Sequence, residues 1–131
     1  MELKSLMPST QQLEIVMPSG EQTGINLTIQ GQDTKAFRDA AKAFAMKQLE
    51  RKDKAIDLNE IEKQRLELAV VCLVDWAGLQ EDDVEVPFSK AKAKELLAMP
   101  ELSFIVEQIE EFVTQRANFF RPRSGKPSLV V

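Results

Sequence analysis

An α+β fold, mostly α, with an N-terminal β-hairpin packed against about four helices, is what three features of the sequence predict. Two short β-prone runs lie before residue 30, apolar stripes at helical spacing follow residue 33, and Gly, Pro and helix-capping residues separate these segments. At 131 residues the chain is long enough to bury a core of its own without a metal or disulfide staple. Residues 1–120 read as a single domain and residues 121–131 as a flexible C-terminal tail, because Pro122, Arg123, Ser124, Gly125, Lys126 and Pro127 carry no periodicity.

The hairpin comes first. Leu13-Glu14-Ile15-Val16-Met17 and Ile25-Asn26-Leu27-Thr28-Ile29 are β-prone, and the second alternates cleanly, with Ile25, Leu27 and Ile29 on one face. Pro18-Ser19-Gly20 and Gly24 supply turn chemistry between them. Two strands alone are marginal, so helices are expected to cover the apolar face.

Gly31-Gln32-Asp33-Thr34 breaks the strand, and Asp33 or Thr34 caps a first helix running to about Lys52. Phe37, Ala40, Ala41, Phe44, Ala45 and Leu49 gather on one side of it. Arg51, Lys52, Asp53 and Lys54 read as a solvated connection. A second helix starts between Asp57 and Asn59, where Asp57 with Glu60 or Asn59 with Glu62 has capping-box spacing, and it ends at Gly78. Ile61, Leu68, Cys72 and Trp76 share a stripe, and this helix is expected to be the most buried one.

Ser89 caps a short third helix, with Phe88 and Ala93 spaced as a hydrophobic staple. Lys90 and Lys92 fall in its first turn, where the helix dipole disfavours cations. Pro100 stops that helix and opens the last one. Leu102, Ile105, Val106, Ile109, Phe112, Val113 and Phe120 form the stripe of the last helix, while Phe104 and Phe119 fall off it.

Composition narrows the function. The chain has no His and no Tyr, and its one Cys, Cys72, sits among valines and leucines as a core residue. Glu81, Asp82 and Asp83 cluster in an acidic loop without a partnering base or a metal-ligand pattern. No catalytic residue, cofactor site or metal site is therefore assigned, and the chain is read as a binding protein, not an enzyme. The aromatic side chains expected at an interface are Phe104, Phe119 and Phe120.

The formal charge of −4, from 17 Lys plus Arg against 21 Asp plus Glu, disfavours a nucleic-acid partner. Arg116, Arg121, Arg123 and Lys126 around the last helix end keep a small nucleic-acid-associated regulator as an alternative. The apolar run Leu68–Val74 is too short to cross a bilayer, and no apolar h-region follows Met1, so neither a membrane nor secretion is expected.

The order of elements then carries a resemblance. A hairpin with a Pro-Ser-Gly turn, a helix, and a segment ending Val74-Asp75-Trp76-Ala77-Gly78 are followed by Val86-Pro87-Phe88-Ser89, Glu95-Leu96-Leu97-Ala98-Met99-Pro100 and Ile105-Val106-Glu107-Gln108-Ile109. This resembles the small tail assembly chaperones of long-tailed, siphovirus-type bacteriophages, over residues 13–120. Lys90–Lys94 is more basic than that family's pattern at this place.

The resemblance implies a protein that binds the phage tape-measure protein, keeps it soluble and promotes tail-tube assembly around it. It implies residence in the host cytoplasm and absence from the mature virion. It also implies a longer product made by programmed frameshifting, for which Gly125-Lys126 is a candidate slippage site, and through which the tail-tube protein would be a second partner. Self-association into a homo-oligomer stays open, and a structural adaptor of the virion is the remaining alternative.

Overall fold

The computed structural model describes residues 1–51 and 57–120. The C-terminal tail, with Arg121, Arg123, Gly125 and Lys126, lies outside the described residues, as do Lys52, Asp53 and Lys54. A short 3-10 turn at Leu3–Leu6 precedes the first strand.

The hairpin forms as its alternation requires. Strand β1 (Gln11–Val16) lies antiparallel to β2 (Gln22–Ile29), with Leu13 opposite Leu27 and Gln11 opposite Ile29. The inward residues Ile15, Leu27 and Ile29 are buried, and Glu14 on the other face is exposed. Thr34 caps α1 (Lys35–Glu50), its hydroxyl accepting from the Phe37 N–H at 3.3 Å. This helix stops just short of the expected end and buries none of its side chains. Phe37, Ala40, Ala41 and Phe44 are half-buried where α1 packs on α2, but Ala45 and Leu49 are exposed, so the predicted apolar side is only partly covered.

The main departure follows. Asp57 caps α2 as expected, accepting from the Asn59 N–H at 3.0 Å, but α2 (Leu58–Cys72) ends six residues before Gly78. Leu73–Ala77 is a strand, β3, antiparallel to β2, so the hairpin becomes a three-stranded sheet in the order β1-β2-β3. The reason is a bulge. Leu73 pairs with Ile29 and Trp76 with Leu27, but the register slips between Thr28 and Ile29, leaving one extra residue on β3. That slip reverses the side-chain parity, and Leu73 and Trp76 both point into the core although they are three apart. A spacing of three and four along Leu68, Cys72 and Trp76 therefore arises from a helix followed by a bulged strand.

The last carbonyls of α2 need donors, and no glycine turns the chain there; the Leu73 N–H meets those of Ala69 and Val70. Gln30 meets two more: its N–H donates to Cys72 O at 2.8 Å and its amide Nε2 to Val71 O at 2.7 Å. Lys90 adds a charged donor, its ammonium donating to Val70 O at 2.7 Å, to Val71 O at 3.3 Å and to Leu73 O at the start of β3 at 2.6 Å. The lysine placed unfavourably in the first turn of its own helix thus caps the C-terminus of another, where the dipole favours it.

A two-residue loop joins β4 (Gln80–Glu81) to β5 (Val84–Glu85), and both loop residues, Asp82 and Asp83, have positive φ (51° and 62°). Ser89 caps α3 (Lys90–Leu97), accepting from the Lys92 N–H at 3.0 Å. Pro100 opens a 3-10 turn, Pro100–Leu102, that leads into α4 (Ser103–Thr114).

Helix α4 ties the layers together. Its Gln108 side chain pairs with the outer edge of β1 as a strand would, accepting from Val16 N–H at 3.0 Å and donating to Val16 O at 2.7 Å. Its Glu110 receives a two-pronged pair from Arg65 of α2, both contacts at 2.6 Å.

The last helix is also shorter than its stripe. After Thr114 the chain turns into a 3-10 segment, Arg116–Phe119, which carries Phe119 back over the sheet. Phe119 is 1% exposed, edge-on to Phe112 at 5.3 Å between ring centroids, with its ring against Gly31. Its carbonyl accepts from the Ser9 N–H at 2.9 Å.

Candidate functional site

A groove of about 350 Å³ opens between the sheet and the α3–α4 corner. It exists because β2 alternates and β3 is bulged: Ile25 and Leu27 from β2 and Trp76 from β3 face the same side, while α4 reaches the sheet mainly at Gln108 and beyond. The start of α4 stands away, so Phe104 and Ile105 form the opposite wall, with Leu96 of α3 beside them. Met17 and Leu79 close the two strand ends.

Trp76 makes the floor rigid. Its indole Nε1 donates to Val86 O at 2.8 Å, and its ring meets Phe88 edge-on at 4.9 Å. The Thr23 hydroxyl at the rim is already engaged, donating to Ile15 O at 2.6 Å and accepting from the Ile25 N–H. Among the described residues that line the groove, Glu101 is the one charged side chain. Such a surface offers apolar contact and little hydrogen bonding, which suits a bulky apolar side chain better than a polar metabolite.

The three aromatic residues expected at an interface fall in three different places. Phe104 is half-buried on the groove wall. Phe119 is a core side chain and offers no surface in this conformation, because the turn after Thr114 folds it onto Gly31. Phe120 is 41% exposed, but it follows the far end of α4, roughly 18 Å of helix from Phe104 at 1.5 Å per residue. Phe104 and Phe120 are therefore not parts of one site. Trp76, Met17, Ile25 and Leu79 were not read as site residues from the sequence. A signal for them is present, since neither residues 5–34 nor residues 66–89 contain a Lys or Arg.

Other features divide between packing and solvent. Arg116 pairs with Asp33 at 2.7 Å, and Arg38 pairs with the other oxygen of the same carboxylate at 3.1 Å, so these arginines lock the last turn to the start of α1. Glu81, Asp82 and Asp83 are exposed around the β4–β5 tip. Burial pushes the Cys72 thiol up to about 12, against the opposing pull of the Lys90 charge, and the same burial lowers Lys90 from its ordinary value. A depression of about 470 Å³ between α2 and the α3–α4 corner is bordered by Glu62, Lys63 and Arg65, the last already committed to Glu110.

Among the described residues no cluster of three or more His, Cys, Asp or Glu side chains is placed to hold a metal, and no helix is long and apolar enough to cross a membrane. A family model described as YdaY prophage protein matches residues 32–123, from the loop before α1 to beyond Phe119. No curated protein and no solved structure matches the chain.

Proposed function

The chain belongs to the YdaY prophage protein family, and on that footing we propose that it is a tail assembly chaperone that holds the phage tape-measure protein soluble while tail-tube subunits assemble. The observation that carries the reading is the apolar groove walled by Phe104 and Ile105 and floored by Trp76. A long amphipathic helix exposes a repeating row of apolar side chains, and a groove of this size accepts one or two of them at a time. Many chaperone copies along one client then mask it collectively, since each weak contact is multiplied along the chain.

The prophage family and the resemblance of residues 13–120 to the tail assembly chaperones support the choice of client. Co-expression with the tape-measure protein of the same prophage is expected to raise that protein's soluble fraction and to yield a complex that survives purification. Phe104→Asp, which places a charge on the groove wall, is expected to lose both effects. A client that stays insoluble, with no complex at low or high salt, would contradict the proposal.

A further inference from the structure

The groove sits at the acidic end of the molecule, and the acidity comes from several elements at once. Ala77 pairs with Asn26, and Gly78 lies so close to Gly24 that a Cβ there would run into Gly24 O. The β1–β2 turn and the β4–β5 hairpin are therefore neighbours at one end of the sheet. The turn contributes Glu21, whose carbonyl accepts from the N–H of groove residue Met17 at 2.8 Å. The hairpin springs directly from groove residue Leu79, whose carbonyl accepts from Val86 N–H at 2.8 Å, and it carries Glu81, Asp82, Asp83 and Glu85. Glu101 borders the groove from the α3–α4 corner. All of these carboxylates are exposed.

Among the elements that line the groove, α3 carries the cations, Lys90, Lys92 and Lys94. The strands contribute no Lys or Arg, and none occurs between Lys94 and Arg116, the stretch that supplies Leu96, Phe104 and Ile105 to the groove. Of the α3 lysines, Lys90 is turned away to cap α2, Lys92 pairs with Glu95 at 3.7 Å, and Lys94 is exposed. The molecule's net −4 is thus unevenly spread, with much of its negative charge around an apolar slot.

We infer that the groove selects a partner helix of defined chemistry: bulky apolar anchors along one face, flanked by Lys or Arg side chains. The apolar anchors enter between Trp76 and Phe104, and the flanking cations meet Glu21, Glu101 and the β4–β5 tip. Matching charge at the rim raises the rate of encounter and disfavours acidic helices, which face repulsion from the strand end and from Glu101. The inference rests on the reading of the groove as the client site, and it adds which segments of a client are held.

The test uses the full chain and two designed amphipathic 21-residue peptides with the same Leu face, one with Lys and one with Glu on the remaining positions. Trp76 is the one tryptophan in the sequence and forms the groove floor, so its emission reports occupancy. The Lys peptide is expected to give a saturable change at low salt, with affinity at least about tenfold above that of the Glu peptide. Raising the salt is expected to narrow that ratio.

Exchanging the exposed carboxylates (Glu81→Lys, Glu85→Lys and Glu101→Lys together) leaves the core untouched and is expected to reverse the preference. Equal binding of the two peptides, no binding at low salt, or an unchanged preference in the charge-exchanged variant would overturn the inference. The outcomes separate the two levels: a tape-measure complex formed without charge preference removes this inference and leaves the chaperone reading standing. Selective binding of the Lys peptide without any tape-measure complex does the reverse.

Discussion

At the scale of single residues, packing at Gly31 and burial at Cys72 have measurable consequences. A Cβ at Gly31 would lie 2.6 Å from Phe119 Cδ2, so Gly31→Ala forces the ring off its seat over the sheet. Overpacking of this kind costs about 1–3 kcal/mol. Denaturant unfolding of Gly31→Ala, Phe119→Leu and the double variant is expected to show the two costs partly cancelling, since one relieves the other. Additive costs would mean that the ring and the glycine do not meet. Cys72 makes a pH prediction. Its folded thiol titrates near 12, above its ordinary value of 9.0, so the unfolded chain loses this proton first as pH rises. Stability from this group is complete below pH 9 and falls between pH 9 and 12. Lys90, lowered from 10.5, acts in the opposite direction, because the unfolded chain keeps its proton longer. Comparing the alkaline decline of the wild type with Cys72→Ala isolates the thiol. The variant is expected to decline less over that window, and an equal decline would contradict the assignment.

At the scale of elements, the caps were legible and the joint between α2 and β3 was not. Thr34, Asp57 and Ser89 announce helix starts because an N-cap is local chemistry, decided by a side-chain oxygen and an N–H two or three residues on. The end of α2 is decided elsewhere, by Gln30 and Lys90 from remote elements and by pairing with β2. A stripe continuing through Cys72 to Trp76, with Gly78 beyond it, looks like one long helix until the partner strand and its bulge are known. Lys90→Met tests that joint. It removes the ammonium that donates to the carbonyls of Val70 and Leu73, and the loss of hydrogen bonds to a charged group is expected to cost about 1.5–3 kcal/mol in denaturant unfolding. A change under about 0.5 kcal/mol, the level of an ordinary surface substitution, would show that the ammonium is not the cap.

At the scale of the whole molecule, the fold class followed from periodicity, whereas the site needed three dimensions. Phe104 stood out because it leaves the stripe of α4. Its partners Ile25 and Trp76 lie on apolar stripes of their segments; Trp76 is core and Ile25 is half-buried against it, and both also floor or wall a groove, because α4 meets the sheet at Gln108 and leaves its own first turn apart. Phe119 shows the converse, an off-stripe aromatic that is buried because the helix ends before it. The absence of Lys and Arg from residues 5–34 and 66–89 was readable in the sequence, but its meaning depended on the sheet gathering both segments at one end. The central claim is that the groove holds the tape-measure protein, and amide hydrogen exchange of the chain alone and in that complex tests it most directly. Slowed exchange concentrated at Thr23–Leu27, Leu79 and Phe104–Ile105 is the predicted result. Protection confined to α1, or a complex in which these amides exchange as in the free chain, would contradict it.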